Sequence, residues 1–295
     1  MSFEILGVGE ALWDMLPAGP MLGGAPCNFA FHCNQLGHRA AILSRIGADP
    51  LGQTLRQELR RLRVSDALVQ ADPVHPTGTV FVHLDAYGKP SYTISEEVAW
   101  DYIDNAPTND LSSVQVICFG TLAQRHEVSR NSILSLLRQS RADGVARIHI
   151  FDVNLRQRFY SERLLDASLR LSDWVKVNEE ELEVLADLFE LQGHSVESRI
   201  AELRSRYDLK LACMTRGERG CLVQTASENV DVNGIEVQVA DTVGAGDAFT
   251  AALATMQLEG KSIAASARFA NRYAAKVAAS VGGTPAIDRK SIEHE

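Results

Sequence analysis

Short apolar runs of about five residues alternate with longer stretches of helical periodicity along most of this chain, and that rhythm limits its fold more than any other feature. Residues 5–9, 40–46, 114–119, 148–153, 174–177 and 211–215 read as strands. Residues 25–36, 51–62, 129–141, 162–171, 180–188, 196–207, 245–257 and 263–280 read as helices. Strands separated by helices in this way call for an α/β fold, with a mainly parallel sheet covered on both faces. One region breaks the rhythm. Residues 77–84 and 90–95 read as two strands joined by the turn-rich segment 85–89, and with residues 12–22 they predict a small antiparallel flap, or lid, formed by about 12–22 and 77–100. Such a flap can close over a site and exclude water, or pair through its edges with a second copy of the chain.

At 295 residues, with no long linker or repeat, the whole of 1–295 is expected to be a single domain with one large core. Apolar residues make up 45% and charged residues 23%, the balance of an ordinary soluble globular protein. The net charge of −9 argues against nucleic acid or an anionic membrane as partner. No run approaches the roughly 20 apolar residues needed to span a bilayer. Cys27, Cys33, Cys118, Cys213 and Cys221 form no C-x-x-C pair and read as reduced, buried thiols, so a cytoplasmic location is expected.

The segment Asp241-Thr242-Val243-Gly244-Ala245-Gly246-Asp247 immediately precedes an Ala-rich helical pattern. Glycines there let a ligand approach the backbone, and the first amides of a helix, lacking intrahelical partners, form a site for a phosphate. Asp247, in the first turn, can take a proton from an attacking hydroxyl while the amides stabilise the transferring group. The same residues also suit a plain glycine turn with a helix-terminal Asp. Two other patterns are decoys. Gly260-Lys261-Ser262 imitates the end of a P-loop but has Thr255 where the first Gly belongs, and Gly7-Val8-Gly9 imitates a dinucleotide fingerprint but has Leu12 at the third Gly.

The segment Asp241–Asp247 resembles the C-terminal signature of the ribokinase-like (PfkB) sugar kinases. Gly23-Gly24-Ala25-Pro26-Cys27-Asn28 resembles that family's N-terminal signature, of the fructokinase-like subgroup, continued by Arg45-Ile46-Gly47-Ala48-Asp49-Pro50-Leu51-Gly52. The resemblance spans essentially the whole chain and implies a ribokinase-like three-layer fold, an ATP-dependent phosphotransfer to an alcohol, and Mg²⁺. It makes Asp247 the base and the amides of Gly244, Ala245 and Gly246 the anion hole. Asn178 and Glu181, in Asn-Glu-Glu-Glu, would organise Mg²⁺ and phosphate through water; the spacing is equally that of a helix capping box. Thr215, Gly217 and Gly220 would line the nucleotide, or simply turn a hairpin. Asn271 and Gly282 are implied near the adenine, and Asp241 and Val243 are implied candidates for holding a monovalent cation, K⁺.

At the acceptor end, Asp14 follows the first strand and so falls where ligands bind in open α/β sheets. Asp14 and Asn28 together suit a polyol, since a carboxylate and a carboxamide each bridge hydroxyls, and Gly23 and Gly24 allow close approach. A turn-forming Asp and an ordinary helical Asn remain open readings. The resemblance adds Asn154 and Arg156, in Asp-Val-Asn-Leu-Arg, beside the transferred phosphate, where Arg156 can neutralise charge. Arg125 could face the pocket, Tyr92, Ile94 and Trp100 could cover the sugar, and Trp13 puts a large ring nearby. The expected activity is phosphorylation of a sugar, fructose or a related ketose, without nucleic acid or membrane partners and with a homodimer through the lid. The alternatives are 2-keto-3-deoxygluconate, ribose or a nucleoside as acceptor, or a non-catalytic sugar or nucleotide sensor.

Overall fold

A computed structural model describes residues 3–16, 19–84, 90–105 and 111–293. The chain opens with β1 (Ile5–Val8), β2 (Leu12–Leu16), β3 (Gly19–Gly23) and α1 (Ala25–Gln35). Next come β4 (Ala40–Gly47), α2 (Pro50–Arg61), β5 (Ser65–Asp72), β6 (Gly78–Leu84) and β7 (Pro90–Ile94). The middle runs β8 (Val116–Phe119), α3 (Glu127–Ala142), β9 (Ile148–Asp152), α4 (Glu162–Arg170), β10 (Trp174–Asn178), α5 (Glu179–Leu188) and α6 (Val196–Arg206). The last third holds β11 (Leu211–Thr215), β12 (Cys221–Thr225), β13 (Asn229–Val232), α7 (Ala245–Leu258), α8 (Ile263–Ala278) and α9 (Lys290–Glu293).

Nine of these strands form one sheet in the order β13-β12-β11-β10-β9-β8-β1-β4-β5. It is parallel from β11 to β5, with β12 and β13 added antiparallel at one edge. Leucines of α3, α4, α5 and α6 pack on one face, while α1, α2, α7 and α8 supply the other. Covered on both sides, strands such as β1 and β8 are buried at every position, which is why they read as unbroken apolar runs. This is the expected three-layer α/β arrangement.

The remaining strands form a separate sheet, β3-β2-β6-β7. It is mixed rather than antiparallel as expected, because β2 pairs parallel to β6. The connection at residues 85–89 lies outside the described residues. Side chains alternate across a strand, so Asp14 on β2 shares one face with its partner Met21 on β3 and with Val80 and Ile94. Trp13, Met15, Thr79 and Phe81 take the other face. No described helix is long and apolar enough to cross a membrane, and all five cysteines are free and buried.

Candidate active site

The helix starts single out one corner of the molecule. Helices α2, α3, α4, α5, α6 and α8 each have an N-cap side chain accepting from their own first turn. Helices α1 and α7 do not: their N-caps are Gly24 (φ 103°) and Gly244 (φ 77°). The two helices pack together, so two uncapped, partially positive ends lie side by side. Gly244 needs its left-handed conformation, and a Cβ there would also lie 2.6 Å from Gly283 Cα. At the anion hole the Ala245 amide turns back to the Thr242 carbonyl at 3.3 Å, which leaves the Gly246 and Asp247 amides for a ligand.

One turn into α1 and in the first turn of α7, Asn28 Nδ2 donates to Asp247 Oδ2 at 2.8 Å, across 219 residues of sequence. Burial and then the Asp152 carboxylate push the Asp247 carboxyl up to about 6, against the pull of Asn28, Lys176 and Arg156. It is thus a base that is ionised at neutral pH yet easily protonated.

Beneath α7 lies a buried charge cluster that the sequence did not announce. Lys176 Nζ donates to Asp152 Oδ1 at 3.0 Å, and Thr250 Oγ1 donates to Asp152 Oδ2 at 2.9 Å. Burial opposes the lysine's charge, but Asp152, Glu181 and Asp247 outweigh it and hold the ammonium above the usual lysine range. Gly246 is needed for room: a Cβ there would sit 2.9 Å from Lys176 Nζ. Asn154 adopts φ 41°, unusual for a residue with a side chain. Two residues on, Arg156 is exposed, and its charge favours the ionised forms of Glu10, Asp14 and Asp247 together, against their burial.

On the acceptor side Asp14 stands on β2 of the small sheet, not at the tip of β1 as expected. Only three residues separate β1 from this new strand. Its carboxylate lies against Gly23, where any Cβ would overlap it, and burial raises it to about 6. Glu10, missed in the sequence, is 3% exposed. It accepts from the Ala25 amide at 3.3 Å and leaves Oε2 buried without a partner. Burial pushes this carboxyl up to about 7. Trp13, Trp100 and Arg125 depart from the expected pocket wall. Trp13 faces away from Asp14, and its Nε1 donates to the Leu51 carbonyl at 3.0 Å. Trp100 is fully buried, with the Arg125 guanidinium 3.9 Å over its ring. Arg125 itself is locked to Asp101 by two contacts of 2.8 Å, because a buried guanidinium has to be paired. Ile94 is buried and Tyr92 half-exposed, and Gln157 Nε2 donates to the Tyr92 carbonyl at 2.9 Å.

On the nucleotide side Asn178 and Glu181 form the reciprocal capping box of α5, at 2.8 Å each way. Glu181 Oε1 also accepts from the Leu155 amide at 3.0 Å. Both oxygens of Glu181 are thus engaged by backbone amides. Thr215 ends β11, and Gly217 and Gly220 turn the hairpin into β12. Asn271 donates its side-chain amide to the Asn233 carbonyl at 3.0 Å and props the loop after β13. Gly282 donates its amide to Asp241 Oδ2 at 3.1 Å. Asp241 Oδ1 accepts from the Val243 amide at 3.0 Å. Among the described residues no cluster of three or more His, Cys, Asp or Glu side chains has the makings of a direct metal site.

Residues 21–290 match the model of a family described as pfkB family carbohydrate kinase. The fructokinase of Salmonella typhimurium is 30% identical over 86% of this chain and 84% of its own. Fructokinase-1 of Zea mays is 29% identical over 96% of this chain and 94% of its own. The crystal structure of fructokinase from Vibrio cholerae O395, with fructose, ADP and calcium ion bound, superposes with a TM-score of 0.83 at 27% identity, over 100% of this chain and 98% of that one.

Proposed function

Because this chain belongs to the pfkB family of carbohydrate kinases, we propose that it moves the γ-phosphoryl group of ATP to a primary hydroxyl of fructose or a related ketose, with Asp247 as the base. The observation that carries this reading is the Asn28–Asp247 pair set between two uncapped helix N-termini. Asp247 accepts the hydroxyl proton. The Gly246 and Asp247 amides, with Gly244 and Ala245 shaping the turn, receive the phosphoryl oxygens, and Arg156 offsets their charge as they pass. Asp14, Gly23, Gly24, Asn28 and Asn154 hold the sugar, and the small sheet is the lid that excludes water. Thr215, Gly217 and Gly220 line the nucleotide.

The donor set fits a hydrated Mg²⁺, since Glu181 has both oxygens engaged by backbone amides. When bound, Mg²⁺ neutralises phosphate charge. Glu181 and Asn178 would hold its water shell, and Asp241 and Val243 would hold a K⁺ ion. Relatives named fructokinase support the ketose. So does the wall itself: Glu10, Asp14 and Asp247 face Arg156, with Arg125 already committed to Asp101. That balance disfavours 2-keto-3-deoxygluconate, whose carboxylate would compete with the phosphate for Arg156. Edges of the lid pair two copies into a dimer, which sedimentation equilibrium tests. The functional test is ADP release against fructose, ribose, 2-keto-3-deoxygluconate and a nucleoside. Turnover on fructose is expected, and sugar binding without any phosphorylated product would leave only the sensor reading.

A further inference from the structure

The loop at residues 281–285 touches more of the site than any catalytic role requires. Gly282 donates its amide to Asp241 Oδ2, and at φ 81° a Cβ on it would overlap the terminal methyl of Met21, on the Asp14 face of the lid. At Gly283 a Cβ would lie 2.9 Å from Asn28 Nδ2, and the Gly283 Cα closes on Gly244. One short backbone stretch therefore abuts the lid, the partner of the base and the anion hole at once.

What fixes this stretch from behind is a buried chain of polar groups. His32 is fully buried on α1. Its Nε2 lies 2.9 Å from the Gly283 carbonyl and its Nδ1 3.0 Å from the Tyr273 hydroxyl. A carbonyl only accepts, so Nε2 carries the proton and Nδ1 accepts from Tyr273. The Tyr273 oxygen in turn accepts from Gln35 Nε2 at 2.7 Å, and Gln35 also donates to the Pro285 carbonyl at 3.1 Å. The loop is held at its middle, Gly283, and at its end, Pro285. Burial lowers His32 to about 4, so the tautomer persists across the working pH range.

Resting on the kinase reading, we propose that His32 is a positioning residue: by holding Gly283 it keeps the 281–285 loop against both lid and anion hole, so that acceptor binding under the lid tightens nucleotide binding. Coupling of this kind is reciprocal and needs an element that both ligands bias. The loop is that element, with Met21 its contact on the acceptor side and Gly244 its contact on the phosphate side.

The test is calorimetric binding of a non-hydrolysable ATP analogue with Mg²⁺, with and without saturating fructose. In the unaltered protein fructose should tighten the analogue roughly tenfold, within the ~5–150-fold span of ordinary couplings. Met21→Ala, which leaves the fold's interior intact, should bring that ratio close to one while changing analogue affinity without sugar less than about twofold. His32→Leu should do the same and lower kcat more than it raises KM, and His32→Gln, which can donate and accept in the same places, should restore most of both. An unaltered protein that phosphorylates fructose but shows no coupling, or a ratio unchanged in Met21→Ala, overturns this inference alone. Failure to phosphorylate any sugar in the acceptor panel would instead remove the kinase reading, and the inference with it.

Discussion

Replacing Asp247 by Asn separates a catalytic base from a helix-capping carboxylate by the sign of a stability change. The substitution preserves shape and an oxygen to accept from Asn28, so the contact at 2.8 Å should survive. As a general base Asp247 should account for ~10²–10⁴ in turnover. The carboxyl is raised to about 6 by burial and by Asp152. Between roughly pH 4 and pH 6 the folded protein holds a proton that the unfolded chain has lost, so stability falls as pH rises through this window. Above it the full penalty is present. A carboxyl raised this far costs on the order of 1–3 kcal/mol once ionised. At pH 7.5 Asp247→Asn should therefore melt a few degrees higher than the parent, and at pH 4.5 the gain should largely vanish. A carboxylate that merely complements a helix end stabilises by ~0.3–1 kcal/mol, so its loss would lower the melting temperature instead. Scanning calorimetry at both pH values with a coupled ADP assay gives both readouts. Near-normal turnover, or destabilisation at pH 7.5, would refute the reasoning. In the parent, the same carboxyl should make kcat/KM fall about tenfold for each step of one pH unit below pH 6.

Gly244→Ala must place a Cβ 2.6 Å from Gly283 Cα in a left-handed conformation. It should lose ~1–3 kcal/mol in denaturant titration and at least tenfold in kcat. Lys176→Met leaves Asp152, Glu181 and Asp247 without their shared ammonium. It should lower stability by ~3–5 kcal/mol and move the acid limb of the rate profile upward. Glu181→Gln orphans one of the Asn178 and Leu155 amides. It should lose ~1–3 kcal/mol in the same titration and raise the Mg²⁺ needed for half-maximal rate, with the KM for sugar little changed.

What the sequence disclosed was local, and what it hid was long-range. The core strands β1, β4, β8, β9, β10 and β11 announce themselves because double-sided burial demands unbroken apolar runs. Strands β5 and β13 escape because they sit at the sheet edges and are only partly buried, so neither shows an unbroken apolar run. Strand β2 escapes because it begins only four residues after β1 ends, so Asp14 looks like part of the first strand's exit. The Gly-Ala-Gly-Asp turn is readable because anion hole and base are consecutive residues. Lys176 left one trace, a lysine among the valines of a buried strand, which called for a carboxylate partner that only the fold could name. His32 left none. Its partners are 241 and 251 residues away.

The three carboxyls of the acceptor wall carry one common signature. Glu10 stands near 7, Asp14 near 6 and Asp247 near 6, and in each the leading cause is burial away from water. A buried carboxylate with donors of its own shows the opposite shift: in spite of its burial, Asp72 is lowered by the backbone amides of His75 and Val74, the His75 ring and Arg45. A protein holds desolvated acids in one pocket against its own stability only where something else brings hydrogen-bond donors to them. A neutral polyol does this with several hydroxyls at once and adds no charge of its own. An anionic acceptor would deepen the repulsion, and an apolar one would leave Glu10 Oε2 and Asn28 Oδ1 as unpaired as they now are. The electrostatics of this wall thus support a neutral, hydroxyl-rich acceptor, the class proposed from the Asn28–Asp247 pair, by a route that makes no use of the phosphate side.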